Sequence, residues 1–221
     1  MILPGVYVPQ EDTRLLRHAL RREPLRPGAR VLDVGTGSGV LAVEAALLGA
    51  ADVTAVDVSR RALLTARFNG FLAHRRIRTL RGDLLAPVAG RSFDLVLANP
   101  PYLPSPPAGG GLGGRTVPAP GRRARKHDAG EDGREVVDRL CAGVPGLLRP
   151  SGVLLMVHSA LCDVERTRTL LAAAGLAVRV ADRALVPLGP VLRSRAGWLR
   201  ERGLLGPGQD KEELVVIRAQ R

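Results

Sequence analysis

The chain of 221 residues is long enough for one sizeable core and short for two. Its 45% hydrophobic content and mean hydropathy of +0.05 read as a globular protein; no apolar run approaches the ~20 residues of a spanning helix, so a cytoplasmic protein without membrane contact is expected. The net charge of +12 rests almost wholly on arginine, with lysine only at 126 and 211, so a nucleic-acid partner and a bias from GC-rich coding both stay open.

In chain order, residues 1–9 show no helical period. Glu11-Asp12-Thr13 then supplies capping groups for a helix with Leu15, Leu16, Ala19 and Leu20 on one side, ended by Pro24, Pro27 and Gly28. Val31-Leu32-Asp33-Val34 reads as a buried strand, and Gly35-Thr36-Gly37-Ser38-Gly39 as a tight loop before a helix through Leu41 to Leu48. A side chain at Gly35 or Gly37 would hold a ligand off the backbone, and positive φ is cheap only for glycine. No Gly-Lys-Ser/Thr follows, so the loop is not a phosphate cradle of the P-loop kind.

Ala51 to Val58 is the second strand, with Asp57 at its carboxyl end, about 20 residues past the loop, where an acceptor for ribose hydroxyls is expected. A helix N-cap is the alternative use, which Ser59 serves as well. After a helix from Arg60 to Ala73, Ile77 to Arg81 forms a third strand ending at Gly82-Asp83-Leu84. Asp83 is placed either to accept from an adenine amino group or to make an ordinary turn.

Residues 92–98 make the fourth strand, with Asn99-Pro100-Pro101-Tyr102 at its end. Two prolines stiffen the backbone and remove two donors, leaving the Pro100 carbonyl free to accept. The Asn99 side chain offers a second acceptor and Tyr102 an aromatic plane, a combination that fits a planar –NH2 group.

Residues 103–131, rich in proline and glycine and holding the basic run Arg122 to His127, are expected to be a substrate-ordered lid or a disordered insertion. A helix over about 132–148, with Pro145 kinking its end, precedes a fifth strand over Val153 to His158, a helix over Val164 to Ala174 and a sixth strand over Ala177 to Pro187. Leu188 to Asp210 is a basic insertion carrying the sole tryptophan, Trp198, either an amphipathic helix capping the site or a surface for a partner. Glu212 to Arg218 closes the chain as a seventh strand. Cys141 and Cys162 lack metal-ligand spacing and no two of the four histidines stand at i and i+4, so no metal is expected.

The series Asp33-x-Gly35-x-Gly37-x-Gly39, Asp57, Asp83, Asn99-Pro100-Pro101-Tyr102 resembles the class I S-adenosylmethionine-dependent methyltransferases that act on planar nitrogen. Within them it most resembles the HemK-type glutamine N5-methyltransferases of translation release factors, in the short branch without an N-terminal helical domain. Tyr7-Val8-Pro9-Gln10-Glu11-Asp12-Thr13 and Asp132-Gly133-Arg134-Glu135 are similar to that branch's flanking signatures.

The resemblance implies an α/β, Rossmann-like sheet of seven strands, mostly parallel with an antiparallel last strand, helices on both faces, in a single domain over 1–221 whose segment 1–28 covers the cofactor. It implies S-adenosyl-L-methionine held by Thr13, Asp33, Gly35, Thr36, Gly37, Gly39, Asp57, Val58, Asp83, Leu84 and Asn99. It also implies an acceptor amide held by Asn99, Pro100, Pro101 and Tyr102, with Asn99, Pro100 and Tyr102 at the chemistry. A release factor as substrate, and a small activating partner protein, belong to the same expectation. Methylation of a nucleic-acid base or a small molecule, and a non-catalytic cofactor-binding module, are the alternatives, because Asn-Pro-Pro-Tyr is shared with adenine N6 and guanine N2 enzymes.

Overall fold

The structure is a computed structural model and describes residues 1–107, 111–112, 115–116 and 129–221. Seven strands form one sheet: β1 (Arg30–Val34), β2 (Asp52–Asp57), β3 (Arg78–Arg81), β4 (Phe93–Ala98), β7 (Leu148–Ser159), β8 (Ala177–Pro187) and β9 (Lys211–Gln220). Two short strands, β5 (Gly111–Leu112) and β6 (Arg115–Thr116), pair antiparallel outside it. The order in the main sheet is β3-β2-β1-β4-β7-β9-β8, parallel except for β9, which runs antiparallel to both its neighbours. This is the expected Rossmann-like arrangement.

Central strands of such a sheet are covered on both faces, so they read as continuous apolar runs whose alternate residues serve two cores. In β1, Val31 packs with Leu16, Leu20, Leu41 and Ala45 from α1 (Glu11–Arg22) and α2 (Val40–Leu47). Leu32 and Val34 face the other way, toward Val137, Leu140 and Leu171 of α4 (Glu135–Gly143) and α5 (Val164–Ala173). Each such fully buried leucine or valine contributes roughly 1.5–3 kcal/mol relative to exposure. The remaining helices are α3 (Arg60–Leu72), begun where the Ser59 hydroxyl accepts the Ala62 N–H at 3.3 Å, and α6 (Pro190–Glu201).

Several sequence expectations shift. The helix expected over 132–148 runs only from Glu135 to Gly143, because Gly133 takes a left-handed turn (φ 74°) and Pro145 sits in a 3-10 turn over Val144–Leu147. The fifth expected strand begins at Leu148 rather than Val153, since Leu148 already pairs with Phe93 before a bulge restores the register at Leu95. Gln10, not an acidic residue, occupies the N-cap position of α1, and its side chain makes no cap bond. The basic run Arg122 to His127, and with it the question of a lid or an insertion over most of 103–131, lies outside the described residues.

The insertion at 188–210 folds as α6 followed by a turn. Leu188, Leu192, Trp198, Leu199 and Leu205 form a small core of their own against Leu103 and Leu161. Arg195, 9% exposed, donates to the Pro104 carbonyl at 2.8 Å. The tryptophan therefore packs inside this chain, and α6 is fastened to the segment that follows Asn99-Pro100-Pro101-Tyr102.

Candidate active site

A cavity of about 630 Å³ opens along the carboxyl ends of the parallel strands, where ligands bind in folds of this type. The amino end of β9 reaches the same edge, because Leu214 pairs with Ser159 at the end of β7. One half is lined by Gly35, Gly37, Asp57, Val58, Asp83 and Leu84; the other by Asn99, Pro100, Pro101, Tyr102, Leu192, Glu212 and Leu214. Gly5 to Tyr7 and Gln10 to Asp12 line it from the N-terminal segment.

The first half is shaped by the glycine loop. Gly35 (φ 68°) has open space where a Cβ would stand, so a ligand can approach its backbone. Gly39 (φ 78°) has a different duty: a Cβ there would lie 2.5 Å from both Cα and Cβ of Ala66, so this glycine lets α2 pack on α3. Asp33 is completely buried beneath the loop, accepting from the Thr36 hydroxyl at 2.5 Å and from the Ala42 N–H at 3.1 Å. Burial pushes its carboxyl up to about 7, with a smaller push from the charge of Asp57.

Asp57 accepts the Gly37 N–H at 3.0 Å and the Ser59 N–H at 2.8 Å, tying the end of β2 to the loop. Asp83 is ion-paired with Arg139 across the mouth. Next to it Leu84 holds φ at 44°, a costly conformation for a branched side chain and one found at ligand-shaped sites.

The second half is built on a carboxylate. Asp12, 6% exposed, accepts the Tyr7 hydroxyl at 2.7 and 2.8 Å, the Tyr102 hydroxyl at 3.1 Å and the Thr13 hydroxyl at 3.0 Å. Thr13 in turn accepts from the Asn99 amide nitrogen at 3.1 Å. Burial, then the charge of Asp12, raises both tyrosine hydroxyls well above their ordinary range, so they stay protonated donors. The Thr13 proton is drawn to a group that can only accept, leaving its oxygen to receive Asn99.

Behind this wall the Asp132-Gly133-Arg134 turn holds the loop after β4. A Cβ on Gly133 would collide with the Tyr102 carbonyl and with Cys162, whose thiol donates to that same carbonyl at 2.7 Å. Arg134, 2% exposed, donates to the Asp163 carbonyl at 2.8 Å, to Thr167 at 3.0 Å and to Asp138 at 2.6 and 2.9 Å. Both cysteines are buried and free, and among the described residues no group of three or more His, Cys, Asp or Glu could hold a metal. Among the same residues no helix is long and apolar enough to cross a membrane.

Of the residues singled out in the sequence, Gly35, Gly37, Asp57, Val58, Asp83, Leu84, Asn99, Pro100, Pro101 and Tyr102 line the cavity. Thr13, Asp33, Thr36 and Gly39 stand behind its surface: Thr13 against Asn99, the others under the loop. Asp12 appeared in the sequence as a capping group and as part of the Tyr7 to Thr13 signature, without a role at the site, and Glu212 only as the start of a strand. A glutamate at a strand end is ordinarily a surface residue, so nothing local marked it.

The family described as "Methyltransferase small domain" matches residues 3–105. The release factor glutamine methyltransferase of Bordetella pertussis is 36% identical over 178 residues, 79% of this chain and 64% of that protein. The candidate protein N5-glutamine methyltransferase of Methanocaldococcus jannaschii is 32% identical over 184 residues, 83% of this chain and 87% of that one. The chain thus spans under two thirds of the bacterial relative and most of the archaeal one. Among solved structures, the E. cuniculi Mtq2-Trm112 complex, described as methylating the eRF1 termination factor, superposes with a TM-score of 0.65 at 24% identity over 98% of each chain, a likeness of fold. With the glycine loop, the strand-end aspartates and Asn-Pro-Pro-Tyr gathered at one crevice, and an archaeal relative matched over most of its length, the chain belongs to the HemK-type glutamine N5-methyltransferases, within the class I S-adenosylmethionine-dependent methyltransferases.

Proposed function

We propose that this chain transfers a methyl group from S-adenosyl-L-methionine to the side-chain amide nitrogen of a glutamine in a translation release factor. The observation that carries the reading is the orientation of Asn99. With its amide nitrogen engaged by Thr13 at 3.1 Å, its carbonyl oxygen is left as an acceptor beside the Pro100 carbonyl, in the wall of the same cavity as the glycine loop.

The residues present fit the cofactor. Open space at Gly35 admits a ligand onto the backbone, and Asp57 and Asp83 offer carboxylates at consecutive strand ends for a nucleoside. When bound, the cofactor supplies an electrophilic methyl group. An amide nitrogen is a weak nucleophile because it shares its lone pair with its carbonyl. Asn99 and the Pro100 carbonyl, by accepting both N–H bonds, turn that lone pair toward the loop and stabilise positive charge as it develops on nitrogen. Tyr102 offers a flat face to the amide plane, and its own hydroxyl is anchored on Asp12. The proton is acidic only once nitrogen carries the methyl, so it can leave to water and no strong base is needed.

The test is to incubate the protein and methyl-labelled cofactor with release factor, tRNA, rRNA and DNA. Label is expected on the release factor; RNA labelled while the release factor stays blank overturns the reading. One observation favours that second reading: a hollow of about 770 Å³, far from Asn99, is lined by Arg67, Arg75, Arg76, Arg78 and the ring of Phe71, a combination suited to nucleic acid. The same surface supports a small activating partner protein, since Leu64, Phe71 and Leu72 of α3 are all more than half exposed beside the edge strand β3. A partner requirement predicts low turnover by the purified chain alone.

A further inference from the structure

The side chain of Glu212 is used by none of the contacts described above, yet it lines the acceptor half of the cavity. It is 6% exposed, and its Oε2 has no hydrogen-bond partner. A carboxylate oxygen withdrawn from water and left without a donor is costly in a folded protein, and such exceptions call for a reason. Its position gives one. Glu212 is the second residue of β9, at the edge where β4 and β7 end, and shares the cavity wall with Tyr102, Leu192 and Leu214.

We propose that Glu212 is a binding residue for the methyl acceptor: its unpaired oxygen receives a backbone N–H from the segment that carries the reactive glutamine. This rests on the glutamine reading above and names a contact that secures the acceptor apart from the grip on its amide. Tyr102, Leu192 and Leu214 beside it are apolar or aromatic, and the nearby Asp12 carboxylate is already engaged by Tyr7, Thr13 and Tyr102, so Glu212 brings an uncommitted acceptor oxygen to the wall that α6 closes.

The charged and titratable groups facing Glu212 are Asp12 from α1, Tyr102 from the loop after β4, and Cys162 from the turn after β7; the Ser159 hydroxyl at the end of β7 hydrogen-bonds to it. Burial, with a smaller push from Asp12, moves the Glu212 carboxyl up to about 7, while Ser159 pulls it down. Above that pH it is a charged acceptor and makes the stronger hydrogen bond; below it the proton weakens the contact.

The experiment measures KM for the release factor, kcat, and the cofactor Kd of wild type and Glu212→Gln at several values between pH 6 and pH 8.5. Wild-type KM for the acceptor is expected to fall about tenfold from pH 6 to pH 8, with kcat and cofactor Kd changing little. Glu212→Gln keeps the shape and an acceptor oxygen but cannot titrate, so its KM should be flat over the same range. Identical pH profiles in the two proteins, or an effect carried by the cofactor Kd, overturn the proposal. A wild type that labels no release factor at any pH overturns the glutamine reading, and this contact with it.

Discussion

The two halves of the cavity are made in different ways. The half proposed for the cofactor is local: Gly35, Gly37 and Asp33 lie in one strand-loop unit, and Asp57 reaches the loop from the neighbouring strand end 20 residues on. The half proposed for the methyl acceptor joins distant pieces, with Asn99 bonded to Thr13 across 86 residues and Tyr102 to Asp12 across 90. On one side backbone groups and φ angles carry the geometry; on the other, a buried carboxylate fixes the direction of each hydrogen bond around it. A mutation should therefore separate cofactor binding from turnover according to the half it touches.

The largest separation is expected at Asn99. Asn99→Ala removes one of two acceptors for the amide and should lower turnover about a thousandfold, while calorimetry finds cofactor affinity within a few fold of wild type. Equal losses in both would erase the distinction between the halves. Next comes Gly39, which belongs to the loop by sequence and to helix packing by geometry. Gly39→Ala drives a methyl into Ala66 and should cost about 3 kcal/mol in denaturant unfolding. Gly35→Ala, with empty space before it, should cost only about 1 kcal/mol and show mainly as weakened cofactor binding. Asp57→Ala acts on binding alone: cofactor affinity should fall about thirtyfold, with kcat at saturating cofactor much less affected.

An effect seen only as a function of pH is expected at Glu212. Glu212 has a folded-state pKa of about 7 against an ordinary 4.5, so between these values the folded protein holds a proton that the unfolded chain has released. Stability from this group is therefore lost as pH rises through that window. Glu212→Gln should unfold with the same midpoint as wild type near pH 4 and gain about 3 kcal/mol relative to it at pH 8. Asp33 shares the sign but is present in both proteins, so the difference isolates Glu212.

The same contrast explains what could be read before the fold was known. β8 runs from Ala177 to Pro187 as expected, and the order of glycines, Asp57, Asp83 and Asn99 is legible because each answers to its own strand end. The true start of α4 was hidden by Gly133, whose role depends on the Tyr102 carbonyl and Cys162 reaching it from elsewhere. Asp12 looked like a helix cap because its carboxylate's real partners, Tyr7 and Tyr102, meet it only through the tertiary fold. Leu188 to Asp210 could be read either as a helix capping the site or as a partner surface, and only contact with Leu103 and Pro104 shows that α6 packs against the segment after Asn99-Pro100-Pro101-Tyr102.

The central claim is that a planar amide nitrogen is the methyl acceptor, held through both its hydrogens by Asn99 and Pro100. Fragmentation mass spectrometry of release factor methylated by this protein tests it directly. One methyl group on the side-chain nitrogen of a single glutamine, absent when Asn99→Ala replaces the wild type, is the predicted result. A methyl group on a lysine or arginine side chain, or undiminished labelling by Asn99→Ala, contradicts it.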